Sequence, residues 1–252
     1  MSSIESDKSE LRQLVENWAL WRDAGDWDRF ATVWHPEDGW MTATWFQGPA
    51  QDFIAVSKEG FDNGVSILHF LGGHTADIVG DRAVAQTKMT IGQRAEVDGV
   101  EVDVVCTGRF YDFCARHEGA WKIVRRQPVY EKDRLDVVDP AATLSLDPQL
   151  LGRFPVGYRH LGYLQTKAGF TVKTGLPGLT GEVVRRLYAE GAQWLDGSSS
   201  TPGDLTDGTG CCLPDVPQGA CRACVRSRRP ASCGCEEAEP PAVRRPSPRG
   251  VR

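Results

Sequence analysis

The chain has 252 residues, a formal net charge of −5 and a pI near 5.6, so it presents no overall basic field for nucleic acid. Its 40% hydrophobic content is enough for a packed core in one large domain or two small ones. No apolar run reaches the length of a membrane span, and the polar N-terminal segment lacks the pattern of a secretory signal, so we expect a cytoplasmic protein with no membrane partner.

The N-terminal quarter of the chain predicts three helices and one short strand. Residues 7–24 carry apolar side chains at helical spacing, and this helix is expected to end near Gly25. A shorter helix is expected at residues 27–34, a strand at 39–46, and a further helix from 49 to about 63. The apolar face of the first helix consists of Leu11, Leu14, Val15, Trp18 and Trp21.

From residue 67 onward the pattern changes to that of β-strands. Four segments with strand-like patterning follow one another, at residues 67–79, 82–95, 100–113 and 120–130. Two-residue connections that contain glycine separate these segments, as is typical of tight hairpin turns. Helices followed by a long antiparallel meander predict an α+β domain, in which a curved sheet wraps around the N-terminal helices as a cone with an interior pocket.

The end of the strand pattern and a later change in composition divide the chain into three parts. Residues 1–135 are assigned to the catalytic domain, and residues 136–197 to a C-terminal arm with short helices near 158–165 and 180–195. The arm is expected to pack on this domain or on a neighbouring subunit. Residues 198–252 are rich in Cys, Arg and Pro and almost lack large apolar side chains, so we predict a disordered tail. The cysteine spacing in the tail does not match the usual two-knuckle zinc pattern.

The candidate catalytic residues are an aspartate and a histidine. The sequence contains none of the common nucleotide-binding, serine-hydrolase or zinc-protease motifs, which leaves catalysis by side chains in the interior pocket. Asp23 lies near the end of the first helix, and His69 lies in an apolar segment at the start of a strand. Each residue alone has a structural interpretation: Asp23 as a solvated residue at a helix end, and His69 as a buried histidine of the core. Together they predict an acid–base pair, because a carboxylate can orient an imidazole for proton transfer near neutral pH.

Three further residues are predicted to bind substrate. Arg109 lies between a glycine and an aromatic pair, and its guanidinium suits bidentate binding of a carboxylate. Trp45, in the segment MTATWF, and Lys88, on one face of its strand, complete the set. For Lys88, a position that faces solvent is the alternative.

Six segments between Leu11 and Gly197 resemble the fungal-type gallate and protocatechuate decarboxylases, which belong to the NTF2-like or SnoaL-like superfamily. This superfamily also includes scytalone dehydratase and ketosteroid isomerase, so the fold by itself does not select a reaction. The segments are MTATWFQGPAQDF, ILHFLGG, AVAQTKMTIGQRAEVDGVEVDVVCTGRFYDF, RQPVYEKDRLDVVDP, FPVGYRHLGYLQTKAGF and LPGLTGEVVRRLYAEGAQWLDG.

The resemblance implies an NTF2-like cone that acts as a carboxy-lyase in aromatic compound catabolism, with an Asp–His dyad at Asp23 in WRDAG and His69 in LHFLGG. The implied reaction is the non-oxidative decarboxylation of gallate or protocatechuate to pyrogallol or catechol and CO2. The implied enzyme is a homotrimer that needs no organic cofactor and holds a structural potassium ion, whose ligands the sequence does not assign.

Two alternatives to a decarboxylase remain open. The first is a dehydratase or isomerase of the same superfamily that uses the same dyad on a small cyclic substrate. The second is a non-catalytic NTF2-like binding module, although the presence of both dyad residues is an argument against it.

Overall fold

The N-terminal part of the chain folds into three helices and a short hairpin in the computed structural model, which describes residues 3–198. Helix α1 spans Ile4–Asp23 and α2 spans Trp27–Thr32. The predicted strand is divided into β1 at Trp40–Thr42 and β2 at Gln47–Pro49, and α3 follows at Ala50–Asp62. Except for Ser198, the tail predicted to be disordered lies outside the described residues.

Four long strands form the meander that the sequence predicts. They are β3 at Ser66–Val79, β4 at Arg82–Val97, β5 at Val100–His117 and β6 at Ala120–Val137. The sheet has the order β2-β1-β6-β5-β4-β3, in which β1 pairs in parallel with β6 and the meander is antiparallel. The α+β fold class is therefore confirmed. The strands of the meander extend beyond their predicted ends, and β6 runs past the proposed boundary at residue 135.

The first helix packs against one face of this curved sheet. Its side chains Leu11, Val15 and Trp18 are at most 1% exposed. Burying a large apolar side chain contributes roughly 1.5–3 kcal/mol, so each of these side chains stabilises the contact between the helix and the sheet. The Trp18 ring lies within 7 Å of several other aromatic rings, measured between ring centroids: Phe30, Trp34, Phe53 and Phe110.

The C-terminal arm packs on the domain of its own chain. After α4 at Pro148–Leu151 and a 3-10 turn, α5 at Arg159–Lys167 buries Leu161 and Leu164 in the same core as α1. Helix α6 at Glu182–Asp196 packs in a second cluster with sheet residues, to which Leu187 and Trp194 belong. These apolar side chains are therefore buried without a second subunit, and the homotrimer stays a prediction that the described fold does not require.

Asp133 anchors the start of α5 to the sheet. One of its carboxylate oxygens accepts hydrogen bonds from the backbone N–H groups of His160 and Leu161, at 2.5 and 2.8 Å. The other lies 2.9 Å from Nδ1 of His160. Because the first N–H groups of a helix lack partners within it, this carboxylate caps α5 from a strand and fixes the position of the arm.

None of the helices among residues 3–198 combines the length and the apolar character that crossing a bilayer requires.

Candidate active site

The two predicted catalytic residues are joined by a pair of hydrogen bonds. Asp23 is the last residue of α1, and His69 lies on β3. The Oδ1 atom of Asp23 lies 2.8 Å from Nδ1 of His69, and its Oδ2 atom accepts the backbone N–H of His69 at 2.5 Å. This arrangement fixes the ring and places the proton on Nδ1. The other nitrogen, Nε2, is left to exchange a proton with a ligand.

Arg22 completes the charge arrangement around Asp23. Its Nη1 atom lies 3.3 Å from Oδ1 of Asp23 and 3.3 Å from the carbonyl oxygen of Ile67. Burial by itself would raise the pKa of Asp23, but the side-chain hydrogen bond and the charge of His69, together with its backbone N–H and the charge of Arg22, outweigh burial and lower this pKa. Asp23 is therefore a carboxylate at neutral pH and can stabilise a positive charge on His69.

His69 is held in an apolar environment. Its side chain is 6% exposed and lies beside two aromatic rings: Trp18, in a T-shaped contact with a centroid distance of 5.1 Å, and Phe110, tilted at a centroid distance of 6.1 Å. Burial lowers the pKa of His69 from its usual value, although Asp23 partly opposes this shift. The imidazole is therefore neutral at pH 7 and suited to act as a general base.

The histidine lines the inner part of a two-chamber cavity. The outer chamber has a volume of about 480 Å³ and the inner chamber of about 40 Å³. The predicted binding residue Trp45 lines both chambers, whereas His69 lines only the inner one. The outer chamber is therefore large enough for a ring-sized ligand, and the residues that it shares with the inner chamber connect it to the wall that contains His69. The residues shared by the two chambers are Arg22, Trp45, Ile67, Gln93 and Gln165.

Arg109 and Lys88, the other two predicted binding residues, do not line this cavity. Strand alternation places Phe110 in the inner chamber and therefore turns the preceding Arg109 to the opposite face. There Arg109 Nη2 donates a hydrogen bond to the Tyr188 hydroxyl at 2.8 Å, and Arg109 and Lys88 both form ion pairs with Glu131. This correction removes both residues from the site that contains His69.

Polar residues of the inner chamber that the sequence did not single out for binding include Thr44, Gln93 and Gln165. The sequence contains a weak indication that Gln93 faces the interior, because it shares its strand face with Met89 and Ile91, both of which pack in the core. Gln165 lies on α5 of the arm, and nothing in its local pattern predicts that it reaches the pocket. Its position follows from the docking of the arm.

Among residues 3–198, no group of three or more His, Cys, Asp or Glu side chains converges as a metal site. The potassium ion that the resemblance implies has no assigned ligands and stays a prediction.

The lowered pKa of His69 is open to a direct test. In an NMR titration of the carbon-bound imidazole protons, His69 should take up its proton below pH 6.5, the usual value, because burial disfavours the charged ring. Asp23→Asn should move this midpoint to lower pH, since the carboxylate is the group that raises it. A midpoint above 6.5 in the wild-type protein would contradict the neutral-base assignment.

Comparisons with known proteins agree with the fold. Residues 5–127 match the SnoaL-like domain family. Pea pathogenicity protein 2 from Fusarium vanettenii is 36% identical over 206 residues, which cover 77% of this chain and 88% of that protein. An uncharacterised protein from Emericella nidulans is 37% identical over 207 residues, which cover 76% and 87% of the two chains. Among solved structures, an NTF2-like protein with a cystatin-like fold from Novosphingobium aromaticivorans has 24% identity and a TM-score of 0.39, over 55% of this chain and 86% of that chain.

The resemblance has two levels, a superfamily and a family of decarboxylases, and the matches differ in what they say about each. The family match confirms the SnoaL-like part of the resemblance over residues 5–127, whereas none of the matches supports membership of the gallate and protocatechuate decarboxylases. The long match to the first relative extends well beyond the SnoaL-like segment. The chain therefore belongs to the family of pea pathogenicity protein 2 and carries a SnoaL-like domain at residues 5–127.

Proposed function

We propose that this chain is an acid–base enzyme that dehydrates or isomerises a small cyclic substrate. The observation that carries the proposal is the neutral imidazole of His69, which Asp23 orients at the wall of a buried aromatic cavity. A free Nε2 atom in such a place is suited to remove a proton from a carbon whose acidity is raised by a neighbouring carbonyl group.

The proton balance of a dehydration follows from this geometry. His69 Nε2 takes the proton from the carbon, and the electron pair of that C–H bond forms the new double bond as the hydroxyl group on the adjacent carbon leaves. The resulting imidazolium, stabilised by the Asp23 carboxylate, donates the proton to the departing hydroxyl, so water is released. In an isomerisation the imidazolium returns the proton to a different carbon, and no group is lost.

Decarboxylation of a polyhydroxybenzoic acid is the second candidate, and one observation favours it. Arg22 lines both chambers, and among the hydrogen bonds of residues 3–198 its side chain donates only through Nη1. Its other N–H groups are available to pair with a substrate carboxylate. His69 would then remove the phenolic proton and return a proton to the ring carbon that bears the carboxylate, which leaves as CO2.

Three sets of probes distinguish these reactions on the full-length protein. Cyclic β-hydroxy ketones report dehydration and cyclic β,γ-enones report isomerisation, because both yield a conjugated enone that absorbs in the ultraviolet. Dihydroxy- and trihydroxybenzoic acids report decarboxylation through released CO2. We expect enone formation by the wild-type protein and its loss in His69→Ala. Release of CO2 alone would favour the second candidate, and binding without turnover in all three sets would favour a binding module.

A further inference from the structure

Three buried polar side chains form a hydrogen-bonded chain in the wall of the cavity. The Thr44 hydroxyl donates to Oε1 of Gln165 at 2.6 Å, and Nε2 of Gln165 donates to Oε1 of Gln93 at 3.3 Å. Thr44, Gln165 and Gln93 are 2%, 4% and 5% exposed. They come from the turn after β1, from α5 of the arm and from β4, so the network exists only in the folded chain with its arm in place.

The direction of these hydrogen bonds determines which donor or acceptor groups of the network remain available to a ligand. Thr44 and Gln165 each donate to the next member, and this uses the carbonyl oxygens of both amides. The Nε2 amino group of Gln93 makes no hydrogen bond among residues 3–198, and Gln165 Nε2 keeps a second N–H beside the one it donates to Gln93. Because Gln93 stands at the end of the network and lines both chambers, its N–H groups are available to an oxygen acceptor of a bound molecule.

The surroundings of Gln93 define the kind of molecule that carries this oxygen. Gln93 and Gln165 line both chambers, next to Trp45, Ile67 and Arg22, whose charge is paired with that of Asp23. The outer chamber also contains the rings of Phe46, Phe61 and Phe170. Aromatic walls favour a flat, apolar ring, and an uncharged amide suits a neutral oxygen on that ring.

We propose that Gln93 Nε2 binds a carbonyl or hydroxyl oxygen of a neutral cyclic substrate, and that Gln165 of the arm is the positioning residue that orients the Gln93 amide. This inference rests on the proposed function for the site, and it adds the substrate class and the group that recognises it. It also gives the arm a role in specificity, because Gln165 lies beyond the SnoaL-like segment at residues 5–127.

The test compares two probes that differ mainly in one oxygen. Acetophenone offers a carbonyl acceptor and no donor, and ethylbenzene has a similar size without the oxygen. Their affinities for the full-length protein are measured by calorimetry in the wild type and in Gln93→Met, Gln165→Met and Gln127→Met. Methionine keeps the length of glutamine and removes its polar atoms. Gln127 is the matched control, since it is a buried glutamine that lines neither chamber.

We expect Gln93→Met to weaken acetophenone binding about 10-fold while ethylbenzene binding stays unchanged, because one hydrogen bond is lost. Gln165→Met should reduce the preference for acetophenone by a smaller factor, since the Gln93 amide remains but is no longer oriented. Gln127→Met should leave the preference as it is in the wild type. A general disturbance of the cavity would weaken the binding of both probes equally and would leave the ratio of their affinities unchanged.

The inference is overturned if the wild-type protein does not prefer acetophenone, or if the preference persists in Gln93→Met. Should Gln93→Met not fold, an unchanged preference in Gln165→Met would contradict the proposal equally. This readout is independent of turnover. A preference that depends on Gln93, together with no reaction on any of the three sets of substrates, would refute the proposed function and leave the binding assignment standing.

Discussion

Replacing His69 with alanine is expected to lower kcat by about 10²–10⁴-fold, the usual range for the loss of a positioned acid or base. Asp23→Asn should have an effect in the same range, because an amide cannot stabilise the imidazolium and does not hold the proton on Nδ1 as a carboxylate does. Since the two residues act as a unit, the double variant should be little worse than the poorer single variant. The measurement is steady-state turnover of whichever probe the wild-type protein converts.

The chain supplies its own control for this experiment. His160 and Asp133 repeat the hydrogen-bond pattern of His69 and Asp23, with the backbone N–H and Nδ1 of the histidine on the two carboxylate oxygens. This second pair anchors the arm, and neither residue lines the cavity. His160→Ala should therefore retain most of the activity. Near-wild-type turnover in His69→Ala would remove that residue from the mechanism, and unfolding of the variant would return it to a structural role.

Replacing Arg126 with leucine is expected to lower the free energy of unfolding by about 3–5 kcal/mol. Its Nε and Nη2 atoms each lie 2.7 Å from one oxygen of Asp112, and both side chains are completely buried. Removing the guanidinium leaves the Asp112 carboxylate buried without its partner. It also removes a cation that stacks on the rings of Trp18 and Phe110, at 4.2 and 3.9 Å from their centroids.

Arg94 and Asp103 provide the matched comparison for this ion pair. Like the buried pair, they lie opposite each other on neighbouring strands, in this case β4 and β5. Their two hydrogen bonds, at 2.9 and 2.6 Å, have the same bidentate form. The difference is that both side chains are exposed. Arg94→Leu should therefore change the stability only slightly, because water solvates the remaining carboxylate. Chemical denaturation measures both variants. Equal losses for Arg126→Leu and Arg94→Leu would show that burial does not control the contribution of these pairs.

The local pattern of the sequence predicted the elements of the fold. Helix α1 follows from apolar side chains at helical spacing, and the antiparallel meander follows from glycine-containing turns, in which Gly80, Gly99 and Gly119 adopt positive φ angles. The turn that precedes each strand and the residues that alternate along it are local properties, so sequence alone could predict them. The ends of the strands were less accurate, because pairing with a neighbouring strand extends a strand beyond its own pattern.

Asp23 and His69 could be predicted as a pair from their residue types and from the resemblance, but only the tertiary structure brings α1 and β3 to hydrogen-bond distance. The tertiary structure also decided which face each strand presents to the cavity, and so it removed Arg109 and Lys88 from the site. Gln165 joined the site for a related reason. Its position depends on how the arm packs against the domain. Contacts between residues so far apart in the chain leave no periodic pattern in the sequence.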